Sequence, residues 1–285
     1  MTSSAQRMMA AAIVLLSIVI VAGLLMAYDS EAHVRSASVA AGDAKASDRV
    51  EIKASLISID PVREEATFRL SFDPKGSLLG SDGTLTKELR LTVNAASGAA
   101  DRPFPKGRVM PATDVVVDLD NGIVTDYPRD KYDAELEMLL VAPTASGADK
   151  VATVATVDAS LHGWKFQAGS STKQAAGYAL THVSVSRSPA TVGVAAFMMV
   201  LYWLLSISAV VLTFLIAVSG RRLEAGMLTW CAGLLFALLA FRGAMPSAPG
   251  IGAFVDYAAV FPAEIATALC LVTLVVTYLR RLGAN

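Results

Sequence analysis

The sequence predicts a two-part fold. One part is an α-helical membrane anchor bundle of four transmembrane helices, and the other is an all-β sandwich outside the cytoplasm, with an immunoglobulin-like arrangement as the first topology to test. The chain has 285 residues, 54% of them hydrophobic, and its long apolar stretches lie on either side of one polar block. Within that block apolar and polar residues alternate with a period of two, which is typical of half-buried strands.

Four apolar stretches are each close to the ~20 residues that cross the hydrocarbon core of a bilayer. They cover residues 8–27, 191–218, 225–241 and 257–279. We expect an N-terminal anchor over 1–28 and a three-helix transmembrane domain over 190–285. The first stretch exceeds the apolar core of a cleavable signal peptide, and residues 24–29 lack a small-x-small cleavage site. The sequence therefore favours a retained signal anchor.

Basic residues next to a span resist translocation, so the short loops that carry them are expected in the cytoplasm. Five arginines mark one side of the membrane. They are Arg7, Arg221, Arg222, Arg280 and Arg281. Only Arg187 and Arg242 lie close to a span end on the other side. The sequence therefore predicts a plasma-membrane protein with both termini in the cytoplasm and residues 29–189 outside it.

The polar block carries a small negative charge and no disulfide. Residues 29–189 contain 22 acidic and 18 basic side chains, a balance of −4, and no cysteine. That charge offers no basic surface for phosphate backbones, which excludes nucleic acid as a partner. The Ala- and Ser-rich residues 29–47 predict a tether, and 48–189 the β-sandwich domain. Both cysteines, Cys231 and Cys270, lie in predicted spans, so the domain must be stable without disulfides.

Eight alternating runs predict short antiparallel strands, separated by turn signals of Pro, Gly, Asp and Asn. The runs cover residues 50–59, 66–72, 85–93, 114–119, 135–141, 151–157, 161–166 and 178–185. No helix-length amphipathic pattern intervenes, which favours a sandwich. Trp164 is expected to fill the core of this domain.

Aspartates surround an Asn-Gly pair at 121–122. They are Asp114, Asp118, Asp120, Asp126, Asp130 and Asp133. The spacing lacks the central Gly and the terminal bidentate Glu of a twelve-residue calcium loop. A solvated hairpin with Asn-Gly at its turn is therefore the better interpretation.

Catalytic motifs do not occur in the chain. His33, His162 and His182 form no metal pair at i,i+4 spacing, and there is no nucleophile elbow, zincin motif or phosphate-binding loop. The sequence predicts a non-enzymatic protein with no catalytic residue, no cofactor and no metal. The alternative is a membrane-tethered periplasmic enzyme or small-molecule-binding protein, which a zinc site assembled from distant strands would allow.

The most specific local pattern lies between the third and fourth spans, where Pro and Gly predict a tight hairpin. Its candidate structural or partner-contact residues are Arg242, Met245, Pro246, Pro249, Gly250, Gly252, Asp256 and Glu264. An unpaired charge at membrane depth costs at least ~2.5 kcal/mol, so Arg242 is expected to pair with Asp256 or Glu264. Glu264 has a second interpretation, a proton or substrate relay, although transporters usually have more spans and internal repeats.

The N-terminal anchor, the cysteine-free β domain, the three C-terminal spans and the loop pattern from Arg242 to Asp256 resemble an actinobacterial membrane-protein family of unknown function. The resemblance implies an auxiliary role. The spans would pack against the permease helices of a mycobacterial Mce-type lipid-import complex, and the exported domain would lie beside the base of its substrate-conducting assembly. The residues alone lead to the same class, an interaction subunit embedded in the lipid bilayer.

Overall fold

A computed structural model describes most of the chain. The described residues are 3–34, 37–42, 44–170, 177–218 and 223–282. The chain divides into two compact units. The helical unit consists of Met1–Ala27, Thr125–Arg129 and Ala190–Asn285. The β unit consists of Tyr28–Val124 and Asp130–Pro189.

Eleven strands build the described part of the β unit. They are β1 (Ala37–Gly42), β2 (Arg49–Asp60), β3 (Glu65–Lys75), β4 (Leu89–Val93), β5 (Ala100–Phe104), β6 (Thr113–Asp118), β7 (Lys131–Thr144), β8 (Gly147–Lys150), β9 (Ala152–Ala159), β10 (Trp164–Ser170) and β11 (Tyr178–Arg187). Along β7 every second side chain from Tyr132 to Ala142 is buried. The period-two pattern of the sequence therefore marks the faces of the strands.

The strands form two sheets that share one core. The first sheet has the order β1-β9-β2-β3-β6, and the second has the order β10-β11-β7-β4-β5 with β8 paired to β7. Buried side chains of both sheets belong to a single hydrophobic cluster, among them Ile52 and Phe68 from the first and Leu91 and Leu136 from the second. Two sheets that bury their inner faces against each other form a sandwich. The prediction of a β sandwich is confirmed as far as the two packed sheets are concerned.

One pairing departs from the predicted antiparallel arrangement. β2 runs parallel to β9, from Arg49 opposite Ala152 to Leu56 opposite Ala159. Parallel neighbours need a long connection, which is often a helix. Here the connection is the succession of strands from β3 to β8. Local alternation cannot report this pairing, because the two strands are distant in sequence.

Part of the segment 29–47, which the sequence predicts to be a tether, has regular secondary structure. The first helix continues to Val34, and Ala37–Gly42 forms β1, an edge strand antiparallel to β9. β1 consists of small residues and Val, so it lacks the alternation of apolar and polar residues from which the other strands were predicted. β5 was not predicted either, and Pro103 within it is tolerated because β5 is also an edge strand.

The aspartate-rich segment is not a short hairpin with Asn-Gly at its turn, although Asp120 and Asp133 form an isolated antiparallel bridge across it. β6 ends at Asp118 in the first sheet and β7 begins at Lys131 in the second, so the segment between them connects the two sheets. Asn121 has a φ of 60°, which Asn adopts more readily than most residues. A 3₁₀ turn follows at Val124–Asp126. The turn residues were predicted at the right place, but the element that they belong to was not.

Helices make up the remainder of the described chain. They are α1 (Ser3–Val34), α2 (Pro189–Val218), α3 (Ala225–Gly243) and α4 (Phe261–Leu282), with a π-helical turn at Asp256–Val260 before α4. Three stretches of the described residues are long and apolar enough to cross a membrane, Pro189–Val218, Ala225–Gly243 and Asp256–Leu282. These three predicted spans are confirmed by length and composition, whereas the predicted count of four is not. α1 is helical but is not among them, and its role as an anchor stays a prediction.

Hydroxyl groups on α2 hold α3 and α4 in place. The Tyr202 hydroxyl donates to the Leu238 carbonyl in α3 at 2.6 Å, and the Ser206 hydroxyl donates to the Ala263 carbonyl in α4 at 3.2 Å. Hydrogen bonds between helices in lipid contribute about 0.6–2 kcal/mol each. α2 thereby fixes α3 and α4, the two helices on either side of residues 244–255.

Candidate functional site

Arg242 at the end of α3 and Asp256 at the start of the next helical segment form a buried ion pair. Arg242 Nε lies 2.5 Å from Asp256 Oδ1, and Arg242 Nη2 lies 3.0 Å from Asp256 Oδ2. Arg242 is 8% exposed and Asp256 is 1% exposed. Two parallel N–H···O bonds fix the orientation of both side chains. Of the two partners that the sequence allowed for Arg242, the structure selects Asp256.

The same two side chains bind the backbone of the α3–α4 loop (residues 244–255). Arg242 Nη2 donates to the carbonyls of Pro249 and Gly250 at 3.1 and 3.3 Å. Asp256 Oδ2 accepts from the backbone N–H groups of Gly252 and Ala253 at 2.7 and 3.0 Å. The ion pair therefore satisfies polar backbone groups that the loop does not pair internally.

Gly252 is the loop glycine whose backbone conformation requires glycine. Its φ is +115°, a value that side chains with a Cβ rarely adopt. This conformation points the Gly252 N–H at the Asp256 carboxylate, at 2.7 Å. Gly250 contributes its carbonyl to Arg242 instead. The two glycines of the predicted motif thus have different roles.

Met245 and Pro246 anchor the first half of the loop. Met245 is buried in the hydrophobic cluster of the helical unit. The Pro246 carbonyl accepts a hydrogen bond from the Tyr127 hydroxyl at 2.9 Å, and Tyr127 is fully buried in the same cluster. Sequence reasoning missed Tyr127, since it lies more than a hundred residues before the loop and no local pattern distinguishes it.

Glu264 is not part of the ion pair. It lies in the first turn of α4, and its Oε1 atom is buried without a hydrogen-bond partner among the described residues. Glu264 lines a groove of about 370 Å³ between α3 and α4, together with Ala232, Leu235, Phe236, Leu239 and Leu271. The other lining residues are apolar, so nothing in this groove pairs with the carboxyl group.

The loop and the π-helical turn that follows it present apolar side chains outward. Ile251, Phe254 and Tyr257 are 75%, 49% and 67% exposed. Tyr257 packs edge-on against Phe261, with the ring centroids 5.4 Å apart, which is within the usual range for aromatic pairs. The ion pair thus holds a loop whose exposed face is aromatic and aliphatic, an arrangement suited to contact with an apolar partner surface.

The β unit has a buried ion pair of its own. Arg187, the last residue of β11, contacts Asp130 with Nη2 to Oδ2 at 2.8 Å, and both side chains are almost fully buried. Tyr132 donates its hydroxyl to Asp130 at 3.0 Å, and the Arg187 guanidinium lies 4.0 Å from the centre of the Trp164 ring. Trp164 packs against the core as predicted, but its contact with Arg187 was not foreseen.

The described histidine side chains take part in no arrangement that could hold a metal ion. Among the described residues no group of three His, Cys, Asp or Glu side chains is placed to hold a metal ion. His182 pairs with Glu135 at 3.0 Å on the surface of the second sheet. His33 lies in the last turn of α1, and its side chain is outside the described part.

Comparison with family models decides the family. A model described as Domain of unknown function (DUF4436) matches residues 40–185, half of the chain. The chain belongs to the DUF4436 family. A second model, Domain of unknown function (DUF8686), matches residues 187–281. The search of curated proteins finds no match.

The two matches follow the architecture. The DUF4436 match begins within β1 and ends within β11, so it covers the strands of both sheets. The second match covers α2, α3 and α4. Membership of a family of unknown function agrees with the family resemblance seen in the sequence, and it brings no catalytic residue with it.

Proposed function

We propose that the protein is a non-catalytic accessory or stabilising subunit of a membrane complex, and that this complex is an Mce-type lipid importer. In this role the three C-terminal spans pack against permease helices, and the β unit lies outside the cytoplasm near the Mce subunits. α1 is the fourth span, a signal anchor. Both termini are cytoplasmic.

One observation carries the proposal. The charges of Arg242 and Asp256 are directed at each other and at four backbone groups of the α3–α4 loop. A relay needs a group that exchanges partners, whereas this pair is held by several bonds and is buried. Its effect is to fix a loop that exposes Ile251 and Phe254, next to the exposed Tyr257. A rigid apolar surface on a membrane-embedded scaffold is better suited to binding another protein than to catalysis or proton transfer.

The identity of the complex rests on likeness alone. The order of elements, an N-terminal helix, a β sandwich and three spans, is similar to LucB, an accessory subunit associated with the mycobacterial Mce lipid-import complex. An immunoglobulin-like topology for the sandwich belongs to the same proposal. Any immunoglobulin-like assignment has to be compatible with the parallel pairing of β2 with β9.

A small-molecule-binding role for the β unit is the second candidate, and one observation favours it. The second sheet and the segment after β6 line a pocket of about 450 Å³. Its polar walls include Asp120, Asp133, Glu135 and His182. A cationic or hydroxylated ligand would suit these groups, and a ligand-dependent rise in the melting temperature of the purified protein would support this role.

Gentle detergent extraction of the tagged protein from its native cells tests the main proposal. The wild type should be recovered with permease and Mce subunits, identified by mass spectrometry. A variant with Ile251→Ser and Phe254→Ser should lose them, because it changes exposed side chains of the loop and leaves the ion pair intact. Val109→Ser, at an exposed position of the β unit, is the matched control and should retain them. Recovery of the wild type alone would contradict the proposal.

A further inference from the structure

We propose that the pocket on the outer face of the second sheet binds a neutral, polyhydroxylated ligand, that is, a sugar. The inference rests on the second candidate role, small-molecule binding by the β unit, and names the class of ligand. It does not depend on the role as an accessory subunit. All the residues that carry it belong to the β unit.

Two neighbouring rungs of the sheet form the floor of this pocket, which has a volume of about 450 Å³. Each rung has one residue from β10, one from β11 and one from β7, in that order: Gln167, Ser184 and Asp133 on the first rung, and Gly169, His182 and Glu135 on the second. The residues that alternate with them pack against the hydrophobic core. All six therefore lie on the outer face of the sheet.

A wall of the pocket comes from the segment after β6. The backbone N–H groups of Asp120 and Asp133 each donate to the carbonyl of the other, at 2.7 and 2.9 Å. Gly122 lies so close to the ring of the buried Tyr132 that a Cβ atom at this position would overlap it. Between these two fixed points Asn121 has a φ of 60°, a conformation that costs energy for a residue with a side chain. The wall is therefore held in place by the β unit itself, as in a preformed ligand site.

Gly169 gives the pocket its depth. A Cβ atom at this position would meet no other atom within 4 Å, and the backbone conformation does not require glycine. Glycine inside a strand weakens it, and it often marks a bulge or a close approach of a ligand. The register of β10 with β11 is unbroken from Trp164 to Ser170, so Gly169 does not mark a bulge. It leaves space that a ligand can occupy.

The polar groups around this space combine acceptors with donors. Three carboxylates accept hydrogen bonds, whereas the amides of Asn121 and Gln167 and the hydroxyl of Ser184 both donate and accept. His182 contacts Glu135 through Nδ1 at 3.0 Å, which fixes the orientation of its ring. Sugar hydroxyls also donate and accept, so a polyhydroxylated ligand uses the complete set. An amine would use the carboxylates alone.

Charge and size disfavour the other classes of ligand. The carboxylates repel anions, and among the described residues no group of three His, Cys, Asp or Glu side chains is placed to hold a metal ion. Lys165 and Lys131 lie on the next rung of the same face, on either side of Ser186. Their charges weaken the attraction of the pocket for an organic cation. Two alanines and a valine are the apolar part of the lining, which is too little surface for an acyl chain. A neutral polar ligand fits best.

Saturation-transfer NMR on the purified full chain tests the inference. The probes are the methyl glycosides of glucose, galactose, mannose and arabinose, with the chain in a detergent that has no sugar groups. We expect at least one of them to bind, and its affinity should be the same at low and high salt because the ligand is neutral. Spermidine is the comparison probe for an organic cation.

Two variants place the binding in this pocket. Gly169→Leu should weaken the affinity for that sugar roughly tenfold or more, because the new side chain fills the open position without meeting protein atoms. Gln167→Ala removes one hydrogen-bonding group and should weaken it roughly threefold to tenfold. Ser71→Leu, at an exposed position of β3 in the first sheet, is the matched control and should bind the sugar as the wild type does. Equal melting temperatures of the three variants and the wild type would show that the fold is retained.

The outcomes separate this inference from the proposed function. Binding of none of the four sugars would overturn it, and so would wild-type affinity in both Gly169→Leu and Gln167→Ala. If spermidine binds instead, with an affinity that falls as salt rises, the sugar assignment is wrong and the small-molecule role of the β unit stands. Recovery of the wild type without a complex would contradict the accessory role and leave the sugar site unaffected.

Discussion

Arg242 and Asp256 meet across the α3–α4 loop in a two-point ion pair, and each also binds loop backbone. The pair joins the end of one span to the start of the next. Because both side chains are buried, the conformation of the loop depends on both charges. This relationship leads to the first prediction.

Removal of one member of the pair should destabilise the helical unit. Asp256→Ala leaves Arg242 buried without its counter-charge, which typically costs ~3–5 kcal/mol. We expect a lower abundance in the membrane and a lower melting temperature in detergent. Arg242→Ala with Asp256→Ala should be milder than the sum of the single changes. Arg242→Ala with Glu264→Ala should instead be close to additive, since the structure does not pair them.

The hydroxyl of Tyr127 supports the loop through a hydrogen bond to its backbone. Tyr127→Phe keeps the ring and removes the hydroxyl that donates to the Pro246 carbonyl at 2.9 Å. A buried carbonyl left without a donor costs ~1–3 kcal/mol and a part-buried one less; the Pro246 carbonyl is part-buried, so the melting temperature of the full chain should fall by a small amount. Tyr257→Phe is the matched control, because Tyr257 is 67% exposed. Equal effects of the two changes would show that the Tyr127 bond contributes nothing.

The β unit should depend on Arg187 more than on its surface ion pairs. A fragment of residues 37–188 should give a β-type circular dichroism spectrum and a cooperative melt that is indifferent to reductant. In this fragment, Arg187→Ala removes the counter-charge of the buried Asp130. This change should lower the free energy of unfolding by ~3–5 kcal/mol. Arg69→Ala, which breaks an exposed pair with Asp114, should cost ~0–1 kcal/mol. Similar losses would mean that burial of the Asp130 pair has no energetic effect.

Membrane orientation can be measured by cysteine labelling in intact cells. Ser81 lies in an exposed turn of the β unit and Ala225 begins α3, and both are exposed in the structure. The count of flanking arginines predicts that Ser81→Cys is labelled by a membrane-impermeant maleimide and Ala225→Cys is not. Labelling confined to Ala225→Cys would reverse the proposed orientation.

Sequence reasoning found the elements whose evidence is local. β2 and β3 follow from alternation, and α2, α3 and α4 follow from apolar length. It did not predict elements that depend on residues far apart in sequence or on backbone hydrogen bonds. β1 has no apolar alternation, and its partner β9 is distant in sequence.

The candidate site shows the same division. A charged pair near the loop could be predicted, because a lone Arg242 at membrane depth is costly. The choice of Asp256 over Glu264 could not, because both carboxyl groups lie within reach in sequence. The choice depends on the turn at Gly252, which aims two N–H groups at Asp256. The pairing of Arg187 with Asp130 depends in the same way on β11 lying beside β7.

The most direct test of the account is the abundance of the importer in cells that lack this protein. An accessory subunit that stabilises an Mce-type complex predicts that permease and Mce subunits decline in the membrane upon deletion, as quantified by mass spectrometry. The wild-type chain should restore them, and the chain with Ile251→Ser and Phe254→Ser should not. Unchanged levels of these subunits in the deletion strain would contradict the account.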